Sequence, residues 1–281
     1  VAFSLLFGII YFRMNHSQTS IQDRTGILFF QAMNQAFGST IGCSTVIPVQ
    51  LLVVNRERAS KLYGILPFYV ASFVINLPLE FLPQIVYAVT VYYMTNLRGG
   101  FIHFVWFLVV LSLENFAGIG LGMVISASIS SVEMAPQLAP AFVIIFLMFS
   151  GYFLNENSIP VYVSWMKYIS FIRYAFQAFI VNEFEDSEFD CGKDDEVCLD
   201  GNEYIERLNF QDVSIPMNCL YLVLTIVGFN VLAFAVLVYK RPKFLQIGVQ
   251  KGQAAENHKQ IEGKQGSAIE QHSKAAADTK I

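Results

Sequence analysis

Two carboxylates stand where carboxylates are expensive. Glu80 (NLPLEFLP) and Glu114 (LSLENFAG) each interrupt an otherwise uncharged stretch, the first between Lys61 and Arg98, the second between Arg98 and Glu133. An acid at membrane depth must be paired, hydrogen-bonded or functional, so each is a candidate for binding a cation, relaying a proton or fastening two helices. A second constellation is Phe30, Asn34, Phe37 and Ile41, spaced i, i+4, i+7, i+11 and so on one helical face. An amide among aromatics suits a pocket for a flat, largely apolar ligand. It also suits helix–helix packing with Asn34 hydrogen-bonded across the interface. The short loop VVNRERASKLYG is shaped to dock a partner, with Glu57 set among Arg56, Arg58 and Lys61. Positive-inside topology explains the cations but not the acid.

Other chemistries are missing. No metal-ligand spacing, phosphate-binding loop or plausible Ser/His/Asp set occurs, and His16, His103, His258 and His272 are scattered. Catalysis, a resident metal or cofactor, and a nucleic-acid partner are therefore not expected of this chain.

The elements that position these residues follow from where charge is absent. No Asp, Glu, Lys or Arg lies between Arg24 and Arg56, between Glu133 and Glu156, or between Asp212 and Lys240. Hydrophobic residues make up 54% of the chain and charged ones 14%, and the mean hydropathy is +0.49. A bilayer core about 30 Å thick takes roughly 20 apolar residues per helical crossing. Five full spans are predicted, at about 25–54, 62–96, 101–128, 134–154 and 213–239. Residues 1–12 are apolar but too short to cross, and read as the end of an earlier, truncated helix.

Residues 159–181 carry Lys167 and Arg173 mid-run, each costing about 2.5–3.5 kcal/mol at the bilayer centre. This stretch reads as a re-entrant or interfacial helix. Parity agrees: the basic clusters Arg56–Arg58–Lys61 and Lys240–Arg241–Lys243 share the cytosol only if 159–181 does not cross. The acidic loop 183–212, with Cys191 and Cys198, then faces outward, as does the weak glycosylation sequon at Asn15. Those cysteines are expected to form an intrachain bridge across GKDDEV in an oxidising compartment. A bridge between two copies, or two free thiols, stays open. Residues 244–281 are too polar to order themselves and read as a disordered cytosolic tail.

Three segments together resemble the G subfamily of ATP-binding cassette transporters, the White and breast-cancer-resistance-protein group. They are IQDRTGILFFQAMNQAF, NRERASKLYGILPFYVASFVINLPLEFLP and MFSGYFLNENSIPVYVSWMKYISFIRYAFQAFIVNEF. The last holds Ser-Gly, Ile-Pro, Trp-x-x-Tyr, Arg-Tyr and Asn-Glu-Phe in order, and the resemblance covers about residues 1–243.

The resemblance implies an all-α, six-helix membrane domain of a half-transporter. Residues 1–12 would end helix 1 and 25–154 hold helices 2 to 5. Residues 155–212 would form the re-entrant helix and outer loop, and 213–243 helix 6. It also implies a nucleotide-binding domain of the same polypeptide, holding ATP and Mg, and a second half-transporter as homodimer or heterodimer partner. An amphipathic, sterol-like, lipid or xenobiotic substrate would pass by alternating access, most simply at the plasma membrane. By the same resemblance Phe30, Asn34 and Phe37 would line the substrate path opposite Ile144 and Leu147. Tyr152 and Phe153 would form its plug, where aliphatic residues are common. Glu57, Arg58 and Tyr63 would couple to the nucleotide-binding domain. An ion-coupled carrier or channel using Glu80 and Glu114, or a scaffold or receptor, remain alternatives.

Overall fold

The computed structural model describes residues 2–60, 63–129, 131–153, 162–189, 199–211 and 213–240. Nine helices and no strand occur among them: α1 (Ala2–Ile10), α2 (Gln18–Ala59), α3 (Ile65–Thr95), α4 (Phe101–Ser128), α5 (Met134–Met148), α6 (Met166–Ile169), α7 (Phe171–Phe184), α8 (Gly201–Arg207) and α9 (Ile215–Tyr239). Four of these, α2, α3, α4 and α9, are long and apolar enough to cross a membrane. α5 is apolar but has 15 residues, about 22 Å at the helical rise.

Local chemistry sets the boundaries. α3 stops at Asn96, which takes the left-handed conformation (φ 56°) and returns its N–H to the Tyr92 carbonyl. α5 runs into Gly151 at φ 91°, where a Cβ would lie 3.0 Å from the Phe210 ring. The 159–181 stretch is not one helix. Ser170 leaves the helical region and its hydroxyl accepts the Arg173 N–H, so α6 ends and α7 begins there. Every residue of α7 is buried, as expected of a helix too short to cross that is surrounded by others.

α4 is the centre, packed most extensively against α9 and α2. Small residues make this possible. A Cβ on Gly122 would lie 2.8 Å from the Thr40 carbonyl oxygen, and one on Gly120 would lie 3.1 Å from Phe229 Cβ. Such close approach favours association where lipid removes the hydrophobic drive between helices. Thr40 Oγ1 also donates to the Gly118 carbonyl at 3.1 Å, welding α2 to α4.

Candidate functional site

Polar residues on α2 gather partners from α3 and α4. Asn34 Nδ2 donates to Tyr87 Oη at 3.2 Å, and that hydroxyl donates to Gln31. Gln35 Nε2 donates to Gln84 Oε1 at 3.1 Å and to Asn115 Oδ1 at 2.7 Å, while Gln84 Nε2 donates to the Leu111 carbonyl. A cavity of about 370 Å³ opens beside this network, lined among others by Asn34, Gln35, Asn76, Glu80, Gln84 and Asn115. Asn34 therefore turns its amide to α3. Phe30, Phe37, Ile144 and Leu147 do not line this cavity. Phe30 stacks on Phe7 with centroids 5.9 Å apart, and Phe37 packs partly buried against the core. Ile144 is exposed and Leu147 is buried in the core.

The two intramembrane acids have opposite settings. Glu80 is exposed and lines the cavity. Glu114 is fully buried, and neither of its oxygens accepts a hydrogen bond among the described residues.

Near the α8 end, Tyr152 and Phe153 enter an aromatic cluster. Tyr152 lies nearly parallel to Phe29, with centroids 4.2 Å apart and planes at 15°. Phe153 meets the same ring edge-on at 5.2 Å, and Phe176 of α7 meets both Phe29 and Tyr152 edge-on. At the opposite end of α2, the Tyr63 hydroxyl donates to the Glu57 carboxylate. The Arg58 side chain lies outside the described residues, as do Cys191 and Cys198. Asn15 is exposed, and its carbonyl accepts from Arg24 Nη2 at 3.5 Å.

The sequence reading missed a clamp at the α8 end. Arg24, 1% exposed, forms an ion pair with Glu183, 3% exposed, at the end of α7. Arg24 Nη2 also donates to the carbonyls of Met14 and Asn96, and Glu183 Oε2 accepts the Arg98 N–H at 2.9 Å. Asn182, beside it, donates to the His103 carbonyl at 3.0 Å. Thr25 donates to the Tyr204 hydroxyl at 3.0 Å, and burial pushes that phenol upward in pKa against the hydrogen bond from Thr25. The available signal was Arg24 at the edge of a charge gap and the acid of Asn-Glu-Phe.

These features define a class: an integral membrane domain of packed apolar helices, with a polar seam in its core and an aromatic cluster around Phe29. Comparison with known proteins agrees. A family described as ABC-2 type transporter matches residues 1–184. ABC transporter G family member 1 of Dictyostelium discoideum is 36% identical over 252 residues, covering 86% of this chain and 32% of its own length. Protein white of Drosophila melanogaster is 31% identical over 238 residues, covering 83% and 35%. The broad substrate specificity ATP-binding cassette transporter ABCG2 of Mus musculus is 29% identical over 220 residues, covering 73% and 33%. The chain thus spans about a third of the length of these relatives. It belongs to the ABC-2 type transporter membrane-domain family, in the G subfamily.

Proposed function

We propose that this chain is the permease part of an ATP-driven half-transporter that exports or flips an amphipathic lipid-like or xenobiotic molecule across a membrane. In this reading it works as a homodimer or heterodimer. A nucleotide-binding domain of the same polypeptide supplies ATP and Mg²⁺ chemistry, and the chain supplies the path and the coupling surface.

The observation that carries the reading is the continuity of α2. One 42-residue helix bears Phe29 of the aromatic lid near one end and Glu57 of the Tyr63 contact at the other. At the helical rise, those positions are about 42 Å apart. A displacement at Glu57 therefore reaches the lid along one continuous helix, in which Pro48 removes one backbone hydrogen bond and supplies a place to bend. Alternating access then needs only two packings of α2 against α5, with substrate binding one better than the other.

The direct test is full-length protein in liposomes, with ATP-dependent movement of a fluorescent amphipathic dye as readout. Transport is expected to require ATP. If Phe37, which lies outside the cavity described above, touches substrate elsewhere on the path, Phe37→Ala is expected to raise the dye concentration for half-maximal ATPase stimulation about tenfold or more, as loss of an aromatic contact worth about 1.5–3 kcal/mol would. Dye flux that ignores ATP would make the protein a carrier or channel instead. An unchanged half-maximal concentration would return Phe37 to packing.

Orientation is tested separately. With native cysteines replaced by serine, Glu188→Cys is expected to react with an impermeant thiol reagent on intact cells. Ala59→Cys is expected to react only after permeabilisation. Equal labelling of both on intact cells would reject a cytosolic 56–61 segment with an outward 183–212 segment.

A further inference from the structure

We infer that the cavity between α2, α3 and α4 is a binding site for the protonated amine of an amphipathic cation, with Glu80 as its counter-charge. The inference names a substrate class and to that extent rests on the transporter reading.

Glu80 is the central residue of α3, with fifteen helical positions on either side. A carboxylate at such depth needs a partner. Among the described residues no basic side chain forms an ion pair with it. Its side chain is exposed and borders the cavity rather than being sealed in protein.

Two amide oxygens beside it, those of Asn34 and Gln35, are open to a donor. The NH₂ groups of Asn34, Gln35 and Gln84 all donate into the protein, to Tyr87, to Gln84 and Asn115, and to the Leu111 carbonyl. No described donor fills the side-chain carbonyl oxygens of Asn34 and Gln35. The cavity keeps amide donors as well, the second N–H of Asn34 and of Gln84 and the N–H groups of Asn76 and Asn115, so what selects an ammonium group is the negative charge of Glu80 together with the open oxygens of Asn34 and Gln35. An anion would meet Glu80, and a neutral sterol would leave it unpaired.

There is also room. Gly38 and Gly42 of α2 line the cavity, and a Cβ on either would meet nothing within 4 Å. A volume of about 370 Å³ lies in the range of small-ligand sites. Phe3 and Val46 add apolar wall for the remainder of the molecule.

Cys43 lines the same cavity and makes the site addressable. The experiment uses full-length protein in membranes with every other cysteine replaced by serine, and follows modification of Cys43 by methyl methanethiosulfonate at pH 9, where the amine stays protonated, each variant being normalised to its own rate without ligand. Dodecylamine is expected to slow modification about tenfold more than dodecanol does, the equivalent of one charge-assisted hydrogen bond. Glu80→Gln is expected to remove that difference. Gly42→Leu, which fills empty space, is expected to abolish protection by either compound. Equal protection by amine and alcohol, an amine preference that survives Glu80→Gln, or a Cys43 inert from the outset because protein fills the cavity would each overturn the proposal. Charge-dependent protection without any amine-stimulated ATP hydrolysis would leave the site standing and reject the transporter reading. ATP-driven dye transport without charge-dependent protection would do the reverse.

Discussion

Arg24→Met is expected to cost about 3–5 kcal/mol of stability, because it strands the Glu183 carboxylate without its cation inside the protein. Both partners are almost completely buried, and the guanidinium also satisfies the carbonyls of Met14 and Asn96. The clamp thus ties the start of α2 and the end of α3 to the end of α7, and loss of one charge loosens all three. Glu183→Leu is expected to do comparable harm by leaving Arg24 unpaired. The double variant Arg24→Met/Glu183→Leu is expected to recover part of the loss, since replacing both charges by apolar groups removes the desolvation cost. Recovery stays incomplete because the backbone carbonyls remain unserved. Thermal unfolding of detergent-purified full-length protein, followed by the fraction surviving gel filtration, measures all three. Strictly additive single effects would show that the two residues do not act as a pair.

Removing the aromatic pair proposed as a lid is the second large effect. Tyr152 and Phe153 are 41% and 58% exposed, so only part of each ring's contact with Phe29 and Phe176 is sheltered. Taking about half of the usual 1.5–3 kcal/mol for each aromatic burial, Tyr152→Ala/Phe153→Ala weakens the closed arrangement by about 2 kcal/mol. That is roughly a thirtyfold shift toward an open lid. The expected result in liposomes is dye leakage in the absence of ATP, at least tenfold above the parent, with the amount of folded protein little changed. Tyr152→Phe, which keeps the stacked ring, is expected to leak like the parent. Tight vesicles with the double variant would show that the barrier lies elsewhere.

Several elements were legible in the chain because charge in lipid is penalised residue by residue. The gap between Arg98 and Glu133 delimited α4 at 101–128, and α4 runs from Phe101 to Ser128. The reading of 159–181 as a segment that does not cross rested on Lys167, Arg173 and the side shared by two basic clusters. What forms there is the 14-residue helix α7, preceded by one turn of α6. The break falls at Ser170, a capping residue whose role appears only when its hydroxyl meets the Arg173 N–H.

The sites were less legible, and the reason is geometric. A heptad-like stripe shows which residues of α2 share a face, but not which neighbour that face meets. The stripe placed Asn34 with Phe30, Phe37 and Ile41. Its hydrogen bond goes to Tyr87, and the cavity beside it recruits Gln35, Gln84 and Asn115, which no single-helix pattern joins. Arg24 and Glu183 are 159 positions apart, and each alone looked like a boundary charge. By itself the sequence determined that this is a helical membrane domain of the G subfamily, since hydropathy and ordered motifs are one-dimensional properties. Only the tertiary structure decided which polar groups are satisfied and which face open space. In a medium without water to complete them, that depends on what the packing of other helices brings within about 3 Å.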